Sequence, residues 1–224
     1  MQFILTAGWE DGVADLTERL VRELAKGKSV LWIVSGGSNI PSSAQIMDNI
    51  PFDLTKNLTV MLVDERYGEV GHKESNWAQL MKAGFHSGEA KLLPVLKADL
   101  SLEQTVDHYN QLASKAFADN EVVIAQLGVG TDGHIAGVLP DSPATKDTPD
   151  MAIGYASTPH DRLTLSFAGL RKIGAAYTFA FGNTKHHALG TLKSKSLGLA
   201  KQPSEILKDI SEVYIYNDQF GEHK

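Results

Sequence analysis

Five short apolar runs, each closed by turn residues, constrain this chain more than any other feature. They are Ser29-Val-Leu-Trp-Ile-Val34, Leu58-Thr-Val-Met-Leu-Val63, Val122-Val-Ile-Ala-Gln-Leu127, Tyr177-Thr-Phe-Ala-Phe181 and Val213-Tyr-Ile-Tyr216. Near-continuous apolar runs of this length read as strands buried on both sheet faces, so helices must cover both. The intervening segments supply them. Gly12 to Lys26 places Val13, Leu16, Leu20, Val21 and Leu24 at helical spacing, and Leu102 to Ala118 and Lys185 to Leu192 look alike. Strands alternating with helices predict an α/β fold of three layers, with a mainly parallel, doubly wound sheet. With 224 residues, no internal repeat and no linker-like tract, a single domain over residues 1–224 is expected.

Composition narrows the function classes. Hydrophobic residues make up 42% and charged residues 21%, the balance of a globular chain rather than a disordered one. Cysteine is absent, which removes disulfides, thiolate metal sites and cysteine nucleophiles. A formal net charge of −6 opposes non-specific nucleic-acid binding, although a few convergent cations can still hold a small anion. No apolar stretch approaches the ~18–20 residues that span a bilayer. Met1-Gln2-Phe3-Ile4-Leu5 carries no basic region and is soon followed by Glu10 and Asp11, unlike a secretory signal. The expectation is a cytoplasmic protein without membrane or nucleic-acid partners, either a monomer or a small homo-oligomer.

Open parallel sheets bind ligands beyond the carboxyl ends of their strands. Four such ends carry polar residues here. Ser35-Gly36-Gly37-Ser38-Asn39 precedes Pro41 and a helical stretch, so it reads either as a plain turn or as a backbone cradle for an anion. Asp64-Glu65-Arg66-Tyr67, with Ser75-Asn76 further on, puts three charges directly after a buried strand. Burying them unpaired would be costly, which places them at the strand's mouth, either as a salt-bridged loop or with Arg66 on an anion. The sharpest signal is Gly128-Val129-Gly130-Thr131-Asp132-Gly133-His134-Ile135-Ala136, an imidazole with an acidic neighbour in a glycine-lined turn. Histidine exchanges protons near neutral pH. Finally, Gly182-Asn183-Thr184-Lys185 sets a cation at a helix start, against the dipole preference for anions there, a conflict that a bound anion would relieve. His72, His86, His108, His160, His186, His187 and His223 form no H-E-x-x-H or similar ligand spacing, so no metal is expected.

In this order the segments resemble the 6-phosphogluconolactonase family, within the wider group that includes the glucosamine-6-phosphate deaminases. That family's pattern is approximately S-G-G-S-T-P, D-E-R with a later S-N, L-G-x-G-x-D-G-H-x-A-S-L-F-P, R-[IL]-T-L and T-G-x-x-K. This chain has Ser35-Gly-Gly-Ser-Asn39, Asp64-Glu-Arg66, Ser75-Asn76, Leu127 to Ala136 with Leu139-Pro140, Arg162-Leu-Thr-Leu165 and Gly182-Asn-Thr-Lys185. It departs at Asn39-Ile40-Pro41, at Gly137-Val138 in place of Ser-Leu, and in a C-terminal strand without tryptophan. The deaminases instead resemble D-G-H-I-A-F-N-E-P and D-E-Y. Leu139 stands where their glutamate would, and an apolar side chain cannot transfer a proton.

The resemblance implies a Rossmann-like lactonase fold and hydrolysis of 6-phospho-D-glucono-1,5-lactone to 6-phosphogluconate without a cofactor. The partner would be that phosphorylated sugar lactone. His134 would act as general base toward water, with Asp132 orienting it or capping the adjoining turn. Gly36, Gly37, Ser38, Asp64, Arg66, Arg162 and Lys185 would bind the substrate and its phosphate. The alternatives are a glucosamine-6-phosphate deaminase or phosphosugar isomerase, and a non-catalytic sugar-phosphate-binding paralogue.

Overall fold

A computed structural model describes residues 1–223. In chain order the elements are β1 (Gln2–Leu5), α1 (Glu10–Ala25), β2 (Val30–Val34), α2 (Ile40–Asp48), β3 (Leu58–Leu62), β4 (Asp64–Arg66), α3 (Asn76–Lys82), β5 (Lys91–Leu93), α4 (Leu102–Asp119) and β6 (Val122–Leu127). They continue with β7 (Ala152–Tyr155), β8 (Arg162–Leu165), α5 (Phe167–Leu170), β9 (Ala175–Phe179), α6 (His186–Ser194), β10 (Glu212–Asn217) and β11 (Glu222–His223). Eight strands form one sheet in the order β11-β1-β10-β9-β6-β2-β3-β5, and every pairing in it is parallel. The five apolar runs all lie in this sheet, with ends shifted by up to two residues.

The continuous apolar run of β2 has the cause inferred from it. Leu31 and Ile33 pack into one hydrophobic cluster, Val30, Trp32 and Val34 into the other. On the second face α1 presents Val13, Leu16, Leu20 and Leu24, all at most 2% exposed. Full burial of one such leucine is worth about 1.5–3 kcal/mol. The opposite face is covered by α4, α5 and α6, through Tyr109, Ala113, Leu170, Leu189 and Leu192. The chain is therefore α/β with three layers and a doubly wound parallel sheet.

A second, antiparallel sheet of three strands, β4-β8-β7, was not legible in the sequence. The chain leaves the main sheet at Val63. There the buried Tyr109 hydroxyl donates to the Leu62 carbonyl at 2.7 Å and lies 2.9 Å from that of Val63. Leu165 N–H takes the same Val63 carbonyl at 2.9 Å, which docks β8 beside the bend. In this way Asp64, Arg66 and Arg162, distant in sequence, arrive on one small ladder.

Candidate active site

The sheet reverses its winding between β2 and β6. From β2 the chain moves outward to β3 and β5, whereas from β6 it moves the other way to β9 and β10. Loops leaving adjacent strands in opposite directions open a crevice at their carboxyl ends. A cleft of roughly 330 Å³ lies there. Gly36, Gly37, Ser38, Asp64, Arg66, His134, Arg162 and Lys185 all line it, together with Asn39, Asn76 and Thr131. That volume suits one small sugar phosphate. Asp132 is not in the lining but stands directly behind His134.

The turn after β2 is held by a buried polar network. Ser35 Oγ donates to the Gln126 carbonyl at 2.9 Å, and Gln126 Nε2 donates to Ser42 Oγ at 2.8 Å. Ser42 and Ser43 hydroxyls donate to the Asn39 carbonyl. Gln126 is fully buried on β6, so this side chain ties the central strand to the first turn of α2. Gly36 is required for space: a β-carbon there would overlap the Asn76 amide.

The turn after β6 is closed on itself. Val129 and Ile135 form an antiparallel bridge, and Gly130 N–H donates to the His134 carbonyl at 2.9 Å. A β-carbon on Gly130 would overlap the His134 ring, so glycine there lets the imidazole lie against the backbone. Asp132 Oδ1 accepts the His134 backbone N–H at 3.1 Å and lies 2.6 Å from ring Nδ1. Partial burial pushes the Asp132 carboxyl up, but these hydrogen bonds and the neighbouring imidazolium charge outweigh it and hold it below the ordinary carboxylate value. An ionised carboxylate only accepts, so Nδ1–H donates to it, and when the ring is neutral the lone pair lies on Nε2. Nε2 has no hydrogen-bond partner among the described residues.

The charged rim follows strand alternation. In β4, Asp64 and Arg66 face the cleft, and Glu65 points away. Glu65 corrects an expectation. It does not lie at the strand's mouth but is 1% exposed, accepting from the backbone N–H of Arg66, Asn76 and Trp77 and from Ser75 Oγ. A helix N-terminus, that of α3, replaces the cation that the sequence lacked. Asp64 is likewise buried. Desolvation pushes its carboxyl up from the ordinary value, against the pull of Arg66, Arg162 and His134.

Arg66 and Arg162 stand directly opposite each other in the β4–β8 register. Arg66 donates to the Glu74 carbonyl at 2.9 Å, and Arg162 Nε is buried without a partner. Neither guanidinium has a carboxylate within ion-pair distance among the described residues. Lys185 ends the short 3₁₀ turn before α6, half-buried, and burial lowers its pKa from the ordinary lysine value, with Asp218 opposing. Arg66, Arg162 and Lys185 thus share one cleft with the buried Asp64.

Gln126 and Asn76 were missed as positioning residues. Gln126 is one polar residue in an apolar run, a signal present but easily passed over. Asn76 donates to the Asp64 carbonyl at 3.0 Å, a contact that no local pattern announces. Among the described residues no group of three or more His, Asp or Glu side chains could hold a metal, and the side chain of His223 lies outside them. No helix among them is long and apolar enough to cross a membrane.

Residues 8–214 match the family profile described as glucosamine-6-phosphate isomerases/6-phosphogluconolactonase. The 6-phosphogluconolactonase of Pseudomonas aeruginosa is 30% identical over 167 residues, covering 70% of this chain and 68% of that protein. A crystal structure of a 6-phosphogluconolactonase from Shewanella baltica superposes with a TM-score of 0.81 at 20% identity, covering 97% of each chain. A monomeric glucosamine-6-phosphate deaminase superposes nearly as well, with a TM-score of 0.76 at 19% identity over 97% of each chain. The fold is common to both activities.

Proposed function

Because the chain belongs to the glucosamine-6-phosphate isomerase/6-phosphogluconolactonase family, on its 6-phosphogluconolactonase branch, we propose that it hydrolyses 6-phospho-D-glucono-1,5-lactone to 6-phosphogluconate. The observation that carries this reading is the oriented imidazole in one cleft with Arg66, Arg162 and Lys185.

Each group has a task that its surroundings favour. Arg66, Arg162, Lys185 and the Gly37–Ser38 backbone receive the phosphate. Asp64 would repel a phosphate, so its place is on the sugar hydroxyls. His134 Nε2 takes a proton from water as the water oxygen bonds to C1 of the lactone. The tetrahedral intermediate then collapses, the C1–ring oxygen bond breaks, and the imidazolium returns a proton to the leaving oxygen. The product is a carboxylic acid with a free hydroxyl, and no covalent enzyme intermediate is needed. Asp132 steadies the imidazolium between the two transfers. Binding energy from the remote phosphate sets the lactone carbonyl beside the ring.

Leu139 separates this reading from deamination, because a leucine supplies no proton for ring opening. The test is to compare lactone hydrolysis, measured as acceleration above the buffer rate, with ammonia release from glucosamine 6-phosphate. Acceleration of the first without the second is expected. Ammonia release, or affinity for the sugar phosphate without turnover, would replace the proposal with one of its alternatives.

A further inference from the structure

Lys185 reaches the cleft on a short turn closed only by backbone bonds, Lys185 N–H to the Gly182 carbonyl at 3.0 Å and His186 N–H to the Asn183 carbonyl. Gly182, the residue that starts it, has φ +98°, a conformation open to glycine, and neither end of the short 3₁₀ segment Asn183–Lys185 is capped by its own side chains. Its fixation comes from the strand next door. As the chain leaves β10, Asn217 is fully buried and folds the segment back on itself. Its Oδ1 accepts from Gln219 N–H at 3.0 Å and Phe220 N–H at 2.7 Å, and its Nδ2 donates to the Phe220 carbonyl at 2.9 Å. This turn presents two side chains to Gly182. Both Asp218 carboxylate oxygens accept the Gly182 N–H, each at 3.1 Å, and Gln219 Nε2 donates to the Gly182 carbonyl at 2.6 Å. The same Gln219 nitrogen lies 3.1 Å from Asp218 Oδ1 and joins the two contacts.

We propose that Asp218 and Gln219 are positioning residues for the phosphate-binding lysine: they pin the Gly182 peptide from both sides and so fix where Lys185 enters the cleft. The proposal rests on the reading of Lys185 as a phosphate ligand. Both residues lie beyond residue 214, where the family match ends, so the family motifs alone did not reveal them. Asp218 contributes two opposed effects. Its acceptor oxygens order the turn, whereas its negative charge, near Lys185, disfavours an incoming phosphate. Substitutions separate the two. Asp218→Ala removes both, and Asp218→Asn keeps one acceptor for the Gly182 N–H while removing the charge. Asp218 is exposed, so neither change disturbs the core.

The experiment measures 6-phosphogluconate binding by calorimetry for the full chain and for Asp218→Ala, Asp218→Asn, Gln219→Ala, Lys185→Ala and the Lys185→Ala/Asp218→Ala double variant, with KM and kcat alongside. Asp218→Ala and Gln219→Ala are expected to weaken binding about three- to ten-fold, the size of one lost hydrogen bond, and to raise KM more than they lower kcat. Asp218→Asn should bind at least as tightly as Asp218→Ala allows and recover toward the wild type. In the Lys185→Ala background Asp218→Ala should add nothing, because there is no ammonium left to place. Additive losses in the double variant, or unchanged binding in Asp218→Ala and Gln219→Ala while Lys185→Ala weakens it, would overturn the positioning role alone. Unchanged binding in Lys185→Ala, or no binding by the wild type, would overturn the reading of the site beneath it.

Discussion

Two parts of the cleft lining, the imidazole end and the cation end, are built in different ways. At the imidazole end the partner is already present: Asp132 takes both the backbone and the ring nitrogen of His134, and the ring is oriented before any ligand arrives. Around the cations the opposing charges are Asp64 and Asp218, neither of them in a salt bridge with Arg66, Arg162 or Lys185. Arg66 faces Arg162 across a strand pair, Arg162 Nε is buried and unbonded, and burial depresses Lys185. The contrast teaches a division of labour. On the proposed function, the imidazole is preorganised for chemistry, and the cations gain most when an anion binds.

The largest break in that contrast is His134→Ala. The rate above buffer should fall at least ~10²-fold, the usual general-base contribution, with product affinity changed less than about threefold. Stopped-flow hydrolysis and calorimetry on the same preparation check it, and equal loss in both measurements would merge the two ends into one. Next comes Lys185→Ala, expected to weaken 6-phosphogluconate about 10- to 100-fold, as for a hydrogen bond to a charged group. The unphosphorylated lactone serves as control, and its hydrolysis should hardly respond.

The smallest effect sharpens the comparison through pH. Burial places the Lys185 pKa in the folded protein below its unfolded value. Between the two values the unfolded chain binds more protons, so this group makes stability rise with pH across that window, and below it the full penalty for the buried ammonium remains. Phosphate binding runs the other way: the ammonium is lost, and affinity falls, at a lower pH than an ordinary lysine would give. Thermal melts of wild type and Lys185→Met across the alkaline range should show the variant slightly more stable at neutral pH, the difference closing as pH rises. A variant less stable at neutral pH would mean that the lysine is not penalised by burial.

What was legible in the sequence divides along the same line. The turns after β2 and β6 follow local rules, since apolar runs end in glycines and polar residues where a parallel sheet must place its ligand loops. His134, Asp132, Gly36, Gly37 and Ser38 could therefore be located from their strands alone, whereas Lys185, after β9, gained weight only from the other motifs. The cation end depends on β4 and β8, strands of three and four residues with no periodicity to read. Asp64 and Arg66 were found as a charged segment, but their alternation was not, and Glu65 was sent to the surface because its partner is a helix N-terminus rather than a charge. The Asp218–Gly182 contact joins residues 36 apart by a backbone N–H on a side-chain carboxylate, and no local pattern carries a trace of that.

The most direct measurement is a structure of the protein with 6-phosphogluconate bound. The account predicts the phosphate against Lys185 and the Arg66–Arg162 pair, each within hydrogen-bond reach of about 3 Å, with the C1 carboxylate beside His134 Nε2. A phosphate seated elsewhere, or a C1 carboxylate turned away from the imidazole with the phosphate in place, would contradict it.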